Sequence, residues 1–517
     1  MNTYQTKASE VIRESIKSVI FIDEKAWNPF DCIPFDDSNE DHIRVYNLYN
    51  NFKTGGISFD VHTYKNGDEN LIENDLEKYL FHKRDLVLLD WDLDNSDVFN
   101  VKPLKFLYEI IKQKQIHFCS IYTATPIFET ILPKIYSFFS GITEDICEDI
   151  LNKINEYADE LIPILKKANI YDSTENNKLI GEINNINKDI LVNVKEIVKK
   201  NFPESITFLK FAFDNTLPKP KIPLFFKIEM LTTDDNTVLI IDNTLISILK
   251  KDENEPQMLI DNFVKKITED KNKSFYKLLG LEMQNLFSKK GAFLDPSILN
   301  ISLDAFLHHK RQMHDDNFND LIKNVLLKNA EQNISKNNLN LLESDFLKEI
   351  DDNHEIKQHE IISMNMFYNG NYLDSERILN FGDIFKDEDN NFYLCITALC
   401  DCQFPFDKIK NKFYFVKHNK ILTNEEAIDY GDSGFISYIN SICLKWSTDD
   451  EFIKPIQIYV PNNKIEKNYI LAYDWFDGHP LSISLEYVFT LKQNYAQRIA
   501  NQAFTYPVRV GVDFVKK

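Results

Sequence analysis

The sequence predicts an α/β protein, a doubly wound parallel sheet with a helical insertion, followed by a helical connector and a β-rich α+β C-terminal domain. Three observations carry this expectation. Short apolar runs that stop abruptly at acids recur in the first quarter of the chain, with helical patterns between them. A long tract of Ile and Leu among Lys, Glu and Asn then has helical spacing. From about residue 361 the composition turns aromatic and β-branched, as strands require.

The elements follow in order. A helix over 7–17 leads into Ser18-Val19-Ile20-Phe21-Ile22, which ends at Asp23-Glu24 and reads as a buried parallel strand feeding the carboxyl edge of a sheet. Residues 57–63 form a weaker second strand and 70–79 a helix. The third strand is Asp85-Leu86-Val87-Leu88-Leu89-Asp90. A helix over 104–112 precedes a fourth strand, 116–122, ending at Thr123-Ala124-Thr125. The domain expectations are a first α/β part over 1–126, a helical insertion over 127–236 with long helices at 146–165 and 183–198, and the last strand and helix of the α/β part over 237–270. In that last part, strand character at 237–241 and 244–249 is split by Asp242-Asn243, and a helix covers 256–267. A helical connector over 271–360, with a loop at 336–340, leads to a β-rich domain or small barrel over 361–517. Its strands are 392–397, 412–417, 456–460 and 469–473, closed by a helix at 494–504 and a last strand.

Bulk properties bound the function. The 517 residues exceed one ordinary core and suggest roughly two to four domains. No run approaches a membrane span, and the polar first ten residues lack the order of a secretory signal, so the expected location is the cytoplasm. The seven cysteines, at 32, 119, 147, 395, 400, 402 and 443, read as reduced thiols, with Cys400 and Cys402 too close for the usual metal spacing. A net charge of −21 argues against broad binding of nucleic acid or anionic membrane.

The informative feature is three strand ends taken together. In a parallel sheet, Asp23-Glu24, Asp90 and Thr123 converge on one edge. Clustered carboxylates raise one another's pKa unless a cation neutralises them, and magnesium suits an all-oxygen site. An aspartate beside such a cation can act as nucleophile toward a phosphoryl donor, with a hydroxyl and a lysine taking the remaining charge.

Here the motifs resemble those of response-regulator receiver domains. Phe21-Ile22-Asp23-Glu24 is similar to the acidic pair after the family's first strand, Leu88-Leu89-Asp90-Trp91-Asp92-Leu93 to its phospho-acceptor motif, and Tyr122-Thr123-Ala124 to its switch motif. The nearest match to the family's fifth-strand lysine is Ile248-Leu249-Lys250-Lys251, for which Lys250 is taken as the first choice and Lys251 as the other. The resemblance implies that Asp90 is the acceptor, that Asp23, Glu24 and Asp90 hold Mg2+ with the backbone carbonyl of Asp92, that Thr123 is the switch hydroxyl, and that Lys250 or Lys251 contacts the phosphoryl group. The chain departs from the pattern in carrying Glu24 where Asp is usual, in having no Pro after the lysine, and in lacking Pro and Gly over 93–99. It is similar to the divergent receivers of bacterial anti-phage systems. The implied role is a signalling adaptor acting through protein partners, among them a histidine kinase or a defence-system component. If Asp90 takes phosphate, that event sets partner binding; if not, the pocket is a scaffold.

Two alternatives use other chemistry. Asp90-Trp91-Asp92 is also a DxD, the pair of haloacid-dehalogenase-type phosphatases, although an acid-tipped strand precedes it and position 94 is Asp. An effector enzyme would place catalysis in the C-terminal domain around Asp383, Asp401 or Arg509, and requires that they converge. His308, His309 and His314 beside Asp315 and Asp316 read as a solvated helix end. Arg498 and Arg509 read as salt bridges of an acidic protein. No Walker loop, GxSxG, HExxH or GxGxxG occurs.

Overall fold

A computed structural model describes residues 3–508 apart from 30–33, 71–75, 95, 125–127, 171–173, 221–223, 225, 232–237, 252–258, 269–270, 291–301, 313–314, 336–337, 353–354, 374–376, 404, 432–434, 440–441, 449–451 and 477–478. It divides into two units, Met1–Asp351 and Asp352–Lys517.

The first unit is organised by a seven-stranded sheet. Its strands are β1 (Ser18–Asp23), β2 (Ser58–Thr63), β3 (Leu86–Leu89), β4 (His117–Thr123), β5 (Ile228–Leu231), β6 (Val238–Ile241) and β7 (Thr244–Lys250). The order is β2-β1-β3-β4-β7-β6-β5. The first five strands in this order run parallel, each in its register with the next, whereas β6 returns antiparallel to β7 and β5 pairs antiparallel with β6. β6 and β7 form a hairpin whose turn puts Asp242 at φ 49, a left-handed conformation that Asp tolerates. The expected last strand is therefore β7.

Helices cover both faces, as parallel strands buried on both sides demand. α1 (Thr3–Ser15) and α2 (Glu40–Thr54) share one core with α11 (Leu259–Ile267), α12 (Lys271–Lys290) and α15 (Ser344–Ile350) through Ile12, Leu48, Ile267, Leu278 and Phe346. On the other face α3 (Leu76–Phe81), α4 (Val101–Ile111) and α5 (Ile131–Phe139) contribute Leu80, Phe106, Ile135 and Phe139. α6 (Glu144–Ile154), α7 (Ala158–Leu165), α8 (Asn177–Ile186), α9 (Asp189–Val198) and α10 (Phe202–Phe213) close a third core of their own. α13 (Leu303–Gln312) and α14 (Asp315–Ser335) complete the unit.

Three expectations about this region need correction. The tract 127–236 is not wholly helical: it ends in β5, whose four residues pair with β6 at the sheet edge and are too few to show alternation in the sequence. The long helix expected over 146–165 is interrupted by a turn at Asn155–Tyr157. The one over 183–198 breaks at Asn187, whose side chain accepts from the N–H of Asp189 (2.8 Å) and so starts a new helix.

The second unit is a closed antiparallel barrel. After α16 (Gln358–Asn369) come β8 (Gly370–Asn371), β9 (Arg377–Ile378), β10 (Asp383–Lys386), β11 (Phe392–Cys395), α17 (Leu399–Gln403), α18 (Pro405–Ile409), β12 (Lys412–Lys417), β13 (Lys420–Leu422), α19 (Asn424–Tyr430), β14 (Ile436–Ile439), β15 (Ile442–Lys445), β16 (Pro455–Tyr459), β17 (Lys464–Ile465), β18 (Tyr469–Phe476), β19 (His479–Leu491) and α20 (Gln493–Val508). The order β10-β11-β12-β16-β18-β19 closes through β10–β19, and β8 adds to β19. Strand residues of one phase, such as Phe385, Phe413, Ile458 and Leu485, fill the barrel. Those of the other, such as Ile384 and Leu394, pack on Ala496, Ile499 and Ala503 of α20. The last strand expected after α20 lies outside the described residues.

Candidate functional site

The parallel strands β1, β3, β4 and β7 end at one edge, and their last residues bring charge into a buried place. Asp23 ends β1 and Asp90 follows β3; they are 3% and 5% exposed. Phe21 and Leu88, two residues earlier, belong to the same core, so the pleat puts both carboxylates on one side of the sheet. Leu249 is in that core as well, and Lys251 stands two residues beyond it. Lys251 Nζ donates to Asp23 Oδ2 at 2.5 Å and to Asp90 Oδ2 at 2.8 Å, and its backbone N–H donates to the Thr123 carbonyl at 2.8 Å. The Asp23 and Asp90 carboxylates also take the N–H groups of Lys25 (2.6 Å) and Trp91 (2.8 Å).

Glu24 completes the group. Ligand atoms of Asp23, Glu24 and Asp90 lie within 4.8 Å of one another. Burial, reinforced by the charges of Asp23 and Asp90, pushes the Glu24 carboxyl up to about 7. Burial also raises Asp23, against the pull of Lys251 and with the push of Asp90. Lys251 is pulled down by burial, but Asp90 and Asp23 outweigh that and leave it raised. Glu24 Oε1 meets the exposed Lys25 ammonium at 3.4 Å, while its buried Oε2 has no hydrogen-bond partner among the described residues. Asp23 and Asp90 share the buried ammonium of Lys251, which leaves one negative charge, and Glu24 adds a second when it ionises and presents one open carboxylate oxygen. That donor set fits a hard divalent cation such as Mg2+.

The other expected residues fall as follows. Thr123 closes β4, fully buried, beside these ends. The Asp92 carboxylate does not join the group; it accepts from Asn100 Nδ2 at 3.4 Å. Lys250 pairs in register with Thr123 but follows Ile248 of the opposite core, so it is out of phase with the carboxylates. The lysine of the pocket is Lys251, which corrects the first choice of Lys250.

In the second unit, Asp383 is buried in a bidentate ion pair with Arg377 (2.7 and 2.8 Å) and accepts from Thr490 Oγ1 (2.7 Å). Asp401 lines a separate cavity of about 550 Å³ with Thr397, Tyr414 and Gln497, which Asp383 does not line. Arg509 lies outside the described residues, so the convergence an effector enzyme requires is not met by the two described. His308 and His309 are exposed on α13; His314 lies outside the described residues. Cys119, Cys147, Cys395, Cys402 and Cys443 are buried free thiols, and Cys32 and the Cys400 side chain are outside the description. Among the described residues no helix is long and apolar enough to cross a membrane.

A family model described as the response receiver domain matches residues 15–172. This region is a divergent receiver domain. The match spans β1 to β4 with the acidic ends and stops within the helical tract, before β7 and Lys251. No curated protein and no solved structure matches the chain. A receiver domain gives the chain a response-regulator-like role in signalling, with protein partners. Receivers hold Mg2+ at an acidic cluster, and Asp23, Glu24 and Asp90 are the cluster this receiver offers.

Proposed function

We propose that the chain is a signalling adaptor whose receiver pocket takes a phosphoryl group on Asp90 and thereby sets the binding of a partner protein. The observation that carries this reading is Lys251 bridging Asp23 and Asp90 beside the open oxygen of Glu24. An Asp90 carboxylate oxygen attacks the phosphorus of a donor such as acetyl phosphate or a phosphohistidine. The new P–O bond forms as the bond to the donor breaks, and acetate or the imidazole leaves. Lys251 presents its ammonium to the phosphoryl oxygens, and the Thr123 hydroxyl donates to one of them. Asp23, Glu24 and Asp90, with the backbone carbonyl of Asp92, would hold Mg2+, which supplies neutralising charge for the phosphoryl oxygens. The same pocket without phosphotransfer is a scaffold held together by the Lys251 bridge.

The test is incubation with Mg2+ and acetyl phosphate, read by intact mass. One phosphoryl adduct, absent from a folded Asp90→Asn variant, supports the reading. No adduct on the folded wild-type chain removes phosphotransfer, and an adduct that persists in Asp90→Asn moves it to another residue.

A further inference from the structure

The first unit holds two further buried lysines that this chemistry does not use, Lys266 on α11 and Lys134. Lys134 lies on α5 and is 9% exposed. Among the described residues no carboxylate pairs with its ammonium; Nζ donates to the Val98 carbonyl (3.0 Å) and to Asn100 Oδ1 (2.6 Å). A buried ammonium hydrogen-bonded to neutral oxygens, with the charges of Asp97 and Asp92 acting on it from farther off, is costly to move away from them. Asn100, 8% exposed, starts α4 in a left-handed conformation (φ 54) and turns its amide the other way. Nδ2 donates to the Trp91 carbonyl at 3.1 Å and to Asp92 Oδ1 at 3.4 Å. Trp91 and Asp92 follow Asp90 directly, so one asparagine side chain joins the acceptor loop to a helix of the far tract.

That helix faces two cores. Ile131, Ile135, Phe138 and Phe139 pack with the sheet, and Tyr136 packs against the core of α6 to α10. Ser137 Oγ donates to the Pro218 carbonyl (3.0 Å), which fastens α5 to the chain leaving α10.

We propose that Lys134 and Asn100 are positioning residues that couple the state of the pocket at Asp90 to α5 and the helices that follow it; the inference rests on the reading of Asp90 as the reacting group. A change at Asp90 that shifts the backbone of Trp91 and Asp92 draws on the Asn100 amide. The ammonium of Lys134 follows its acceptors, and in a close-packed interior α5 moves with it. A lysine that merely staples a loop to a helix would add stability without carrying this response.

The test is a double-mutant cycle in the full chain, read by hydrogen exchange over residues 131–154, with 383–395 in the other unit as the internal control. Asp90→Asn alone should change exchange in 131–154 by about ten-fold, the size of one charge-assisted hydrogen bond. In a Lys134→Met background the same change should have no further effect, and Lys134→Arg should restore it. Asn100→Gly removes all three of these side-chain hydrogen bonds without strain at positive φ and carries the same cycle should Lys134→Met fail to fold. An Asp90→Asn effect that is absent in the wild type, or of equal size in both backgrounds, overturns the coupling. The cycle uses neither Mg2+ nor a phosphoryl donor. A chain that takes no phosphate but shows a vanished Asp90→Asn effect therefore keeps the coupling and loses only phosphotransfer.

Discussion

At the scale of the residue, Lys251 bears most of the electrostatics of the receiver pocket, since it compensates Asp23 and Asp90 together. Lys251→Met leaves two buried carboxylates without their cation and should cost about 3–5 kcal/mol in urea unfolding, the usual loss for one partner of a buried pair. Added Mg2+ should return part of that loss, and Lys250→Met should cost less, being out of phase with the carboxylates. Glu24 contributes a pH dependence near neutrality. Its carboxyl titrates at about 7 in the folded chain against an ordinary 4.5, so between these values the folded state holds the extra proton. Stability therefore falls as pH rises through that window, and Glu24→Gln should flatten the fall. Mg2+ binds the ionised form, so its affinity should rise over the same range. Titrations at about pH 5 and about pH 8 check both signs.

At the scale of the element, barrel closure depends on the start of β10. Gly382 sits at φ +91, and a Cβ there would stand 2.7 Å from the Leu491 carbonyl oxygen. The same carbonyl region is tied to Gly382, whose oxygen accepts from the Leu491 N–H (2.8 Å). Gly382→Ala should cost about 1–3 kcal/mol from positive φ, with the close approach adding to it. One residue on, burial raises the Asp383 carboxyl, while Arg377 and Thr490 hold its charge. Asp383→Ala strands the Arg377 guanidinium and should lower the urea midpoint of this unit further than Gly382→Ala. A midpoint unmoved by Asp383→Ala would mean that the ion pair does not hold the barrel shut.

At the scale of the whole molecule, each unit closes its own cores: sheet faces and helical bundle in the first, barrel interior and α20 face in the second. Units that share no core unfold as separate cooperative blocks. Calorimetry should resolve two transitions, with Lys251→Met lowering one and Asp383→Ala the other. A single transition shifted by both substitutions would show that the units unfold as one.

The sequence by itself determined the parallel strands and their acidic ends. A fully buried strand must be continuously apolar, and an acid can follow it only at the edge, so Asp23 and Asp90 were legible from local pattern. The receiver motifs were legible for the same reason, since each occupies one strand end. Tertiary structure decided the rest. Lys250 and Lys251 are adjacent and chemically alike, and only the pleat of β7 against β4 puts Lys251 on the carboxylates. The phase could have been counted from Phe21, Leu88 and Leu249 once they were known to share a core, but that membership is a fact of packing. β5 escaped notice because four edge residues carry no periodicity, and Asn100 and Lys134 because their meeting joins positions 34 residues apart. Period and composition act within one element; pairing, phase and the company of a buried charge are settled between elements.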